Sequence, residues 1–146
     1  MSMVDVQVKL LRDTAQLPVY MTELAAGMDL FACLEESQQL LPGQRCLIPT
    51  GIALAIPAGY EGQVRPRSGL AIKKGLSLVN APGTIDADYR GEIKVVMINH
   101  GQEPVTIACG DRIAQLIITP VHQASLTLVD ELDTTAREAG GFGHTG

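Results

Sequence analysis

Asn80 to Glu92 reads N-A-P-G-T-I-D-A-D-Y-R-G-E. Pro82-Gly83 punctuates its start, and Arg90-Gly91 closes it before the apolar run Ile93 to Ile98. Turn formers set between short apolar segments are the signature of a hairpin in an antiparallel β protein. If Thr84 to Tyr89 is extended, Asp86 and Asp88 point to one face and Tyr89 to the other. A tight hairpin of this kind gathers a carboxylate, an aromatic ring and unpaired backbone groups around one small cavity. Such a cavity suits a flat polar ring carrying a sugar. Taken alone, D-x-D-Y-x-G is more often a solvated turn, so other stretches must decide.

Working outward, Val4, Val6, Val8 and Leu10 alternate with Asp5, Gln7 and Lys9, the period-2 pattern of a half-buried strand. Leu17-Pro18 and Ala25-Ala26-Gly27 interrupt the pattern ahead of Met28 to Ala32, and the polar run Glu35 to Gln39 reads as a loop. Pro42-Gly43, Pro49-Thr50-Gly51 and Pro57-Ala58-Gly59 mark turns, which separate strands at Arg45 to Ile48 and Ile52 to Ile56 and an extended segment at Gln63 to Arg67. Ser68 to Gly75 is the one short helix, with Ser68 as N-cap, Lys73 and Lys74 in the last turn and Gly75 as the stop. Leu76 to Val79, Ile93 to Ile98, Val105 to Ile107, Ile113 to Ile118 and Ser125 to Val129 complete the strands. Turn signals recurring every eight to twelve residues imply an all-β sandwich or jelly roll with that single helix. Val95 to Ile98 and Leu116 to Ile118 lack alternation and read as strands buried on both faces. The aliphatic pattern fades after Asp130, which divides the chain into a domain at 1–130 and a glycine-rich arm at 131–146.

With 146 residues the chain holds one domain and too little for two. It has no Trp, two Phe and three Tyr, yet is 46% apolar, so the core is aliphatic. More apolar side chains than one small domain hides point to a homo-oligomer. A net charge of −5 argues against nonspecific nucleic-acid or membrane binding, which needs a basic field. It leaves room for a small anionic ligand held by local arginines. Cys33, Cys46 and Cys109 are scattered and odd in number. Without a secretory leader or an apolar run of ~18 residues, they read as reduced thiols in a cytoplasmic protein.

Five segments combine small residues with an odd polar one: Ala25 to Leu30, Pro66 to Ala71, the stretch above, Gly110 to Gln115 and the glycine-rich tail. Arg67, Arg90, Arg112 and Arg137 lie in or beside the last four. Glycine lets backbone N–H groups approach an anion, a helix start adds positive partial charge, and arginine presents a fork matched to phosphate oxygens. No G-x-x-x-x-G-K-[ST] occurs, so this is not a P-loop. Singly, each arginine is more often a surface or ion-pair residue, and a glycine-rich tail by itself commonly has no role.

Jointly, A-A-G-M-D-L, P-R-S-G-L-A, G-T-I-D-A-D-Y-R-G-E-I, G-D-R-I-A-Q-L and G-G-F-G-H-T-G resemble, in order, the five motifs of the trimeric dUTPase family. The likeness runs from Ala25 to Gly146. It implies a jelly-roll homotrimer with shared active sites that hydrolyses dUTP to dUMP and pyrophosphate with Mg²⁺. Asp86 would then orient and deprotonate the attacking water. Asn80 and the backbone of Gly83, Thr84 and Ile85 would read the uracil edge, and Tyr89 would pack on the deoxyribose and leave no room for a 2′-hydroxyl. Arg67, Ser68 and Gly69 would hold phosphates from a neighbouring subunit, with Gln115 nearby. Lys94 would make a further substrate contact, and Asp29 would act on a water of the magnesium shell. Phe142 would close over the base, while Arg137, His144 and Thr145 follow the phosphates. The last motif often begins Arg-Gly, whereas Glu138 follows Arg137 here.

Asp88 then serves either as a structural partner of Asp86 or as an ion-pair partner of Arg90. The rival readings are a deoxycytidine nucleotide deaminase on the same fold, and a catalytically silent trimer acting as a regulatory module. The first needs its carboxylate at the base rather than at phosphorus, and the second has no use for Asp86, Tyr89 and the tail together. His100, His122 and His144 lack the short spacing of a zinc site.

Overall fold

A computed structural model describes residues 2–146. Its strands are β1 (Gln7–Leu10), β2 (Met28–Phe31), β3 (Gln38–Leu40), β4 (Arg45–Ala55), β5 (Tyr60–Arg65), β6 (Leu76–Leu78), β7 (Gly83–Ile85), β8 (Glu92–Asn99), β9 (Val105–Ile107) and β10 (Arg112–Pro120). One helix, α1 (Ser68–Lys74), lies between β5 and β6. Two four-stranded sheets, ordered β1-β4-β8-β6 and β2-β10-β5-β7, are joined by a small β3-β9 pair. Every pairing is antiparallel. This is the jelly-roll architecture expected from the turn spacing.

The core is aliphatic. Ile48, Ile52 and Leu54 of β4, Ile93, Val95 and Met97 of β8, and Ile113 and Leu116 of β10 are buried together. In β8 the alternate residues Val96 and Ile98 are only half-buried, as are Ile117 and Ile118 in β10. The expectation of two buried faces therefore fails within one chain, because the sandwich covers only the inner face of each strand. Buried Asn99 spends its amide on the loops: Nδ2 donates to the carbonyls of Leu40 (3.0 Å) and Glu103 (2.8 Å), and Oδ1 accepts from the Gly101 N–H (2.8 Å).

Several local readings are corrected. Pro49-Thr50-Gly51 is not a turn but a bulge inside one eleven-residue strand, where the β4–β8 register shifts between Pro49 and Ala53. Gly51 sits at φ 72°, and a Cβ there would come within 2.7 Å of Ala15 Cβ and 2.8 Å of Cys33 Sγ. The Thr50 hydroxyl donates to the Ile93 carbonyl at 2.5 Å, so side-chain bonds replace the broken ladder. Glu35 to Gln39 is a loop only as far as Ser37, since Gln38 and Gln39 pair with β9. Arg67, not Ser68, occupies the N-cap of α1 and makes no side-chain cap bond there. Gly75 does end the helix, in the left-handed conformation at φ 68°.

Ser125 to Val129 forms no strand: it pairs with nothing among the described residues, and Leu126 and Leu128 are 91% and 100% exposed. Strand β1 is exposed along its length rather than half-buried, since it is the outer strand of its sheet. Beyond Pro120 the chain runs to its end without a strand.

Candidate active site

Asn80 to Glu92 is not a hairpin, because β7 pairs with β5 in one sheet while β8 pairs with β4 and β6 in the other. The connection crosses between sheets. Asp86 to Tyr89 is a turn closed by the Tyr89 N–H donating to the Asp86 carbonyl at 3.1 Å, so the extended alternation expected of Thr84 to Tyr89 is overturned. A turn that leaves one sheet for the other opens the space between their edges.

That space is a cleft of about 430 Å³ lined by Asn80, Gly83, Thr84, Ile85, Asp86, Tyr89, Glu92 and Lys94, over an apolar wall of Leu47, Val64, Leu78, Ile93, Val95 and Val96. Seven residues singled out from the sequence meet here. The size suits a small ligand with an apolar face and a few oriented polar groups. A Cβ on Gly83 would lie 3.1 Å from Asn80 Nδ2, so glycine keeps the Asn80 amide free at the cleft wall.

Tyr89 turns back on its own loop, its hydroxyl donating to the Glu92 carbonyl at 2.9 Å. Gly91 makes this possible, since a Cβ there would collide with the Tyr89 ring and hydroxyl. The Arg90 guanidinium donates to the carbonyls of Ala87 (2.6 Å) and Tyr89 (3.1 Å). Arg90 therefore closes the turn through the backbone, in place of the anticipated ion pair with Asp88.

Glu92 begins β8. Burial pushes its carboxyl up, but the hydrogen bonds from Arg12 and the Gly51 N–H, with the charges of Arg12 and Lys94, hold it below the usual carboxylate range. Arg12 is held still more firmly protonated by the same pair and by Cys33. Arg12, Gly91 and Glu92 carried no assigned role in the sequence reading. Glycine beside an aromatic in D-Y-R-G-E was the available signal for Gly91, whereas Arg12 lies 80 positions away and gave none.

A second group lies apart from the cleft. Asp29, buried in β2, meets Arg67 (Nε–Oδ1, 3.4 Å) and Arg112 (Nη1–Oδ2, 3.3 Å). Arg67 also donates to the Arg112 carbonyl at 3.1 Å, and Gln115 donates to the Pro66 carbonyl at 2.9 Å. Gly27 accommodates Gln115, whose Oε1 would be 2.5 Å from a Cβ at that position. Arg67, Ser68, Gly69 and Gln115 are thus assembled by β2, β10 and the start of α1, with Ser68 and Gly69 exposed. Among the described residues no three of His, Cys, Asp and Glu converge as a metal cage. Asp29 is a single carboxylate facing two guanidinium groups.

Arg137, Phe142, His144 and Thr145 line neither group. Arg137 donates to the Gly140 carbonyl at 2.7 Å, and Phe142 is wholly exposed. Glu138 stands at φ 46°, a left-handed conformation that glycine adopts more readily. Its N–H donates to Thr135 Oγ1 at 3.1 Å and its Oε1 accepts from the Thr135 N–H at 2.5 Å.

The chain is thus a jelly-roll β protein with a cleft sized for a small ligand and a separate cluster of Arg67 and Arg112 on Asp29. The model of the dUTPase family matches residues 13–146, and the chain belongs to the dUTPase family. It is 60% identical over 146 residues to the deoxyuridine 5′-triphosphate nucleotidohydrolase of Syntrophotalea carbinolica, covering 100% of this chain and 99% of the relative. It is 66% identical over 134 residues to the protein of the same name from Desulfotalea psychrophila, covering 92% and 89%. Among solved structures, the Staphylococcus bacteriophage 80alpha dUTPase with dUPNHPP superposes with a TM-score of 0.89 at 30% identity, covering 97% of this chain and 98% of that one. A mutant dUTPase of phage phi11 of S. aureus, described with a structural Mg(II) ion, gives a TM-score of 0.79 at 29% identity, covering 87% and 97%.

Proposed function

We propose that this protein is a dUTP diphosphatase, hydrolysing dUTP to dUMP and pyrophosphate and so lowering dUTP while supplying dUMP for thymidylate synthesis. One observation carries the residue-level reading: Asp86, Tyr89, Asn80, Lys94 and the Gly83–Ile85 backbone converge on one cleft. Uracil enters against the apolar wall, with its polar edge toward Asn80 and the β7 backbone. Thymine differs from uracil by a methyl, which a wall fitted to uracil excludes sterically. Cytosine presents the wrong donors to the Asn80 amide and the β7 backbone, a mismatch that a site built to hydrogen-bond uracil can reject by ~10⁴. Tyr89 lies on the sugar and excludes a 2′-hydroxyl.

At the α-phosphorus Asp86 accepts a proton from the attacking water. The water oxygen bonds to phosphorus, the bond from the α-phosphorus to the α,β-bridging oxygen breaks, and pyrophosphate leaves with the bonding pair. A positioned base of this kind contributes ~10²–10⁴-fold. The substrate is the magnesium complex of dUTP. Magnesium usually keeps several waters and binds through phosphates with one or two carboxylates; Asp29 would meet a water of its shell, and the metal would neutralise charge on the triphosphate.

Arg67, Ser68, Gly69 and Gln115 hold phosphates from a second copy of the chain, and the arm at 131–146 closes from a third, with Phe142 over the base and Arg137, His144 and Thr145 along the phosphates. Support comes from their separation from the cleft within one chain and from the exposed Leu126 and Leu128. The active form is then a homotrimer acting in the cytoplasm, where the three free thiols are at home. Among the described residues no helix is long and apolar enough to cross a membrane.

Pyrophosphate release across dUTP, UTP, dTTP and dCTP tests the assignment. We expect turnover of dUTP alone, and Asp86→Asn should bind dUTP while turning over at least about 100-fold more slowly. Ammonia release from dCTP, or an unchanged rate in Asp86→Asn, would overturn it.

A further inference from the structure

The acidic side chain at the start of β8 reaches toward the N-terminal segment. Glu92 accepts the Gly51 N–H at 3.0 Å on Oε2 and forms an ion pair with Arg12, whose Nη1 lies 3.3 Å from Oε1 and whose Nη2 contacts Oε2. The Gly51 peptide is held on its other side too, its carbonyl accepting from the Leu11 N–H at 2.8 Å. The arrangement falls at the bulge, where β4 and β8 lose their regular ladder and Pro49 has no N–H to give. The Glu92 backbone pairs with Ala53 just beyond that bulge, and its carboxylate adds the contacts to Gly51 and Arg12 beside it. The Glu92 carbonyl is in turn the acceptor for the Tyr89 hydroxyl.

We infer that Arg12 and Glu92 form a brace that sets the Tyr89 ring in the cleft, making Arg12 a positioning residue for sugar selectivity although it lines no part of the cleft. The inference rests on the reading of Tyr89 as the group that excludes a 2′-hydroxyl. Coupling runs from Arg12 to the Glu92 carboxylate, to the Glu92 carbonyl beside the bulge, and to the Tyr89 hydroxyl. Removing the guanidinium leaves the start of β8 held by its pairing with Ala53 and by the Gly51 N–H alone, and the ring gains room to retreat from a ribose. Lysine restores the charge but not the two-pronged contact, so it rescues only in part.

The experiment compares kcat/KM for dUTP and for UTP in the full chain carrying Arg12→Met, Arg12→Lys, Tyr89→Phe, Tyr89→Ala and the Arg12→Met/Tyr89→Phe pair. Arg12→Met is expected to lower the dUTP:UTP ratio about tenfold, a change equal to about 1.4 kcal/mol, with Arg12→Lys in between. The double variant should lose no more than the worse single one, because both act on one contact. A lowered Tm with an unchanged ratio in Arg12→Met would overturn the brace and leave a purely structural ion pair. Should Arg12→Met fail to fold, Glu92→Gln keeps the shape and an acceptor for Gly51 and reads the same ratio; no change there is equally fatal. If Tyr89→Ala itself leaves the ratio intact, the reading of the ring falls and the brace with it. If Tyr89→Ala relaxes selectivity and Arg12→Met does not, the brace alone falls.

Discussion

At the scale of single residues, Glu92 gives a titratable handle on the cleft. Its folded carboxyl lies below the ordinary value of 4.5, so between those two values the unfolded chain binds more protons than the folded one. Stability contributed by the pair is complete above about pH 4.5 and disappears as pH falls through the folded value. We expect the Tm advantage of the wild type over Glu92→Gln to shrink as pH is lowered from about 6 to about 3; a constant gap would mean the carboxylate is not the stabilised form. The residue scale also marks what the sequence made legible. D-x-D-Y-x-G told that Asp86 and Tyr89 share a cavity. Their directions did not follow, because alternation holds only for extended chain and a hydrogen-bonded turn intervenes.

At the scale of elements, the bulge in β4 is the device that joins the N-terminal segment to the cleft. Gly51→Ala meets both a left-handed backbone and the side chains of Ala15 and Cys33, and should cost about 2–4 kcal/mol. Gly43→Ala shares the positive φ but meets nothing within 4 Å, and should cost about 1 kcal/mol. Urea unfolding of both variants separates backbone strain from packing; equal losses would show that the bulge does not press on Cys33. Pro49-Gly51 read as a turn because proline and glycine are turn formers, yet side-chain bonds from Thr50 and Glu92 carry the strand through. Most core strands were readable from apolar runs and punctuation, but Ser125 to Val129 read as a strand and forms none, and β3 lay hidden in a polar run read as loop.

At the scale of the whole molecule, the side chains singled out from the sequence stand in three separate groups in one chain. Deleting Ala139 to Gly146 should leave Tm and assembly mass as in the full chain while dUTP hydrolysis nearly vanishes, because the tail buries little and Phe142 is wholly exposed. Full turnover after truncation would remove the arm from the mechanism. Mixing subunits carrying Asp86→Asn with subunits carrying Arg67→Ala should regain activity after exchange, since a shared site draws its base and its phosphate contacts from different copies. Light scattering alongside the assay checks that the mixed species is an oligomer, and failure to recover would place both groups in one chain's own site.

The five motifs, the aliphatic patterning and the turn spacing were enough to name the family, the β sandwich and the residues to watch. They are local facts, carried by residue type and short spacing. Partnership was decided in three dimensions. That β7 and β8 part into different sheets, that Asp29 faces two arginines, and that Arg12 grips Glu92 across 80 positions all depend on strand pairing. Pairing is set by which faces the folded core can bury, and no window of sequence contains that information.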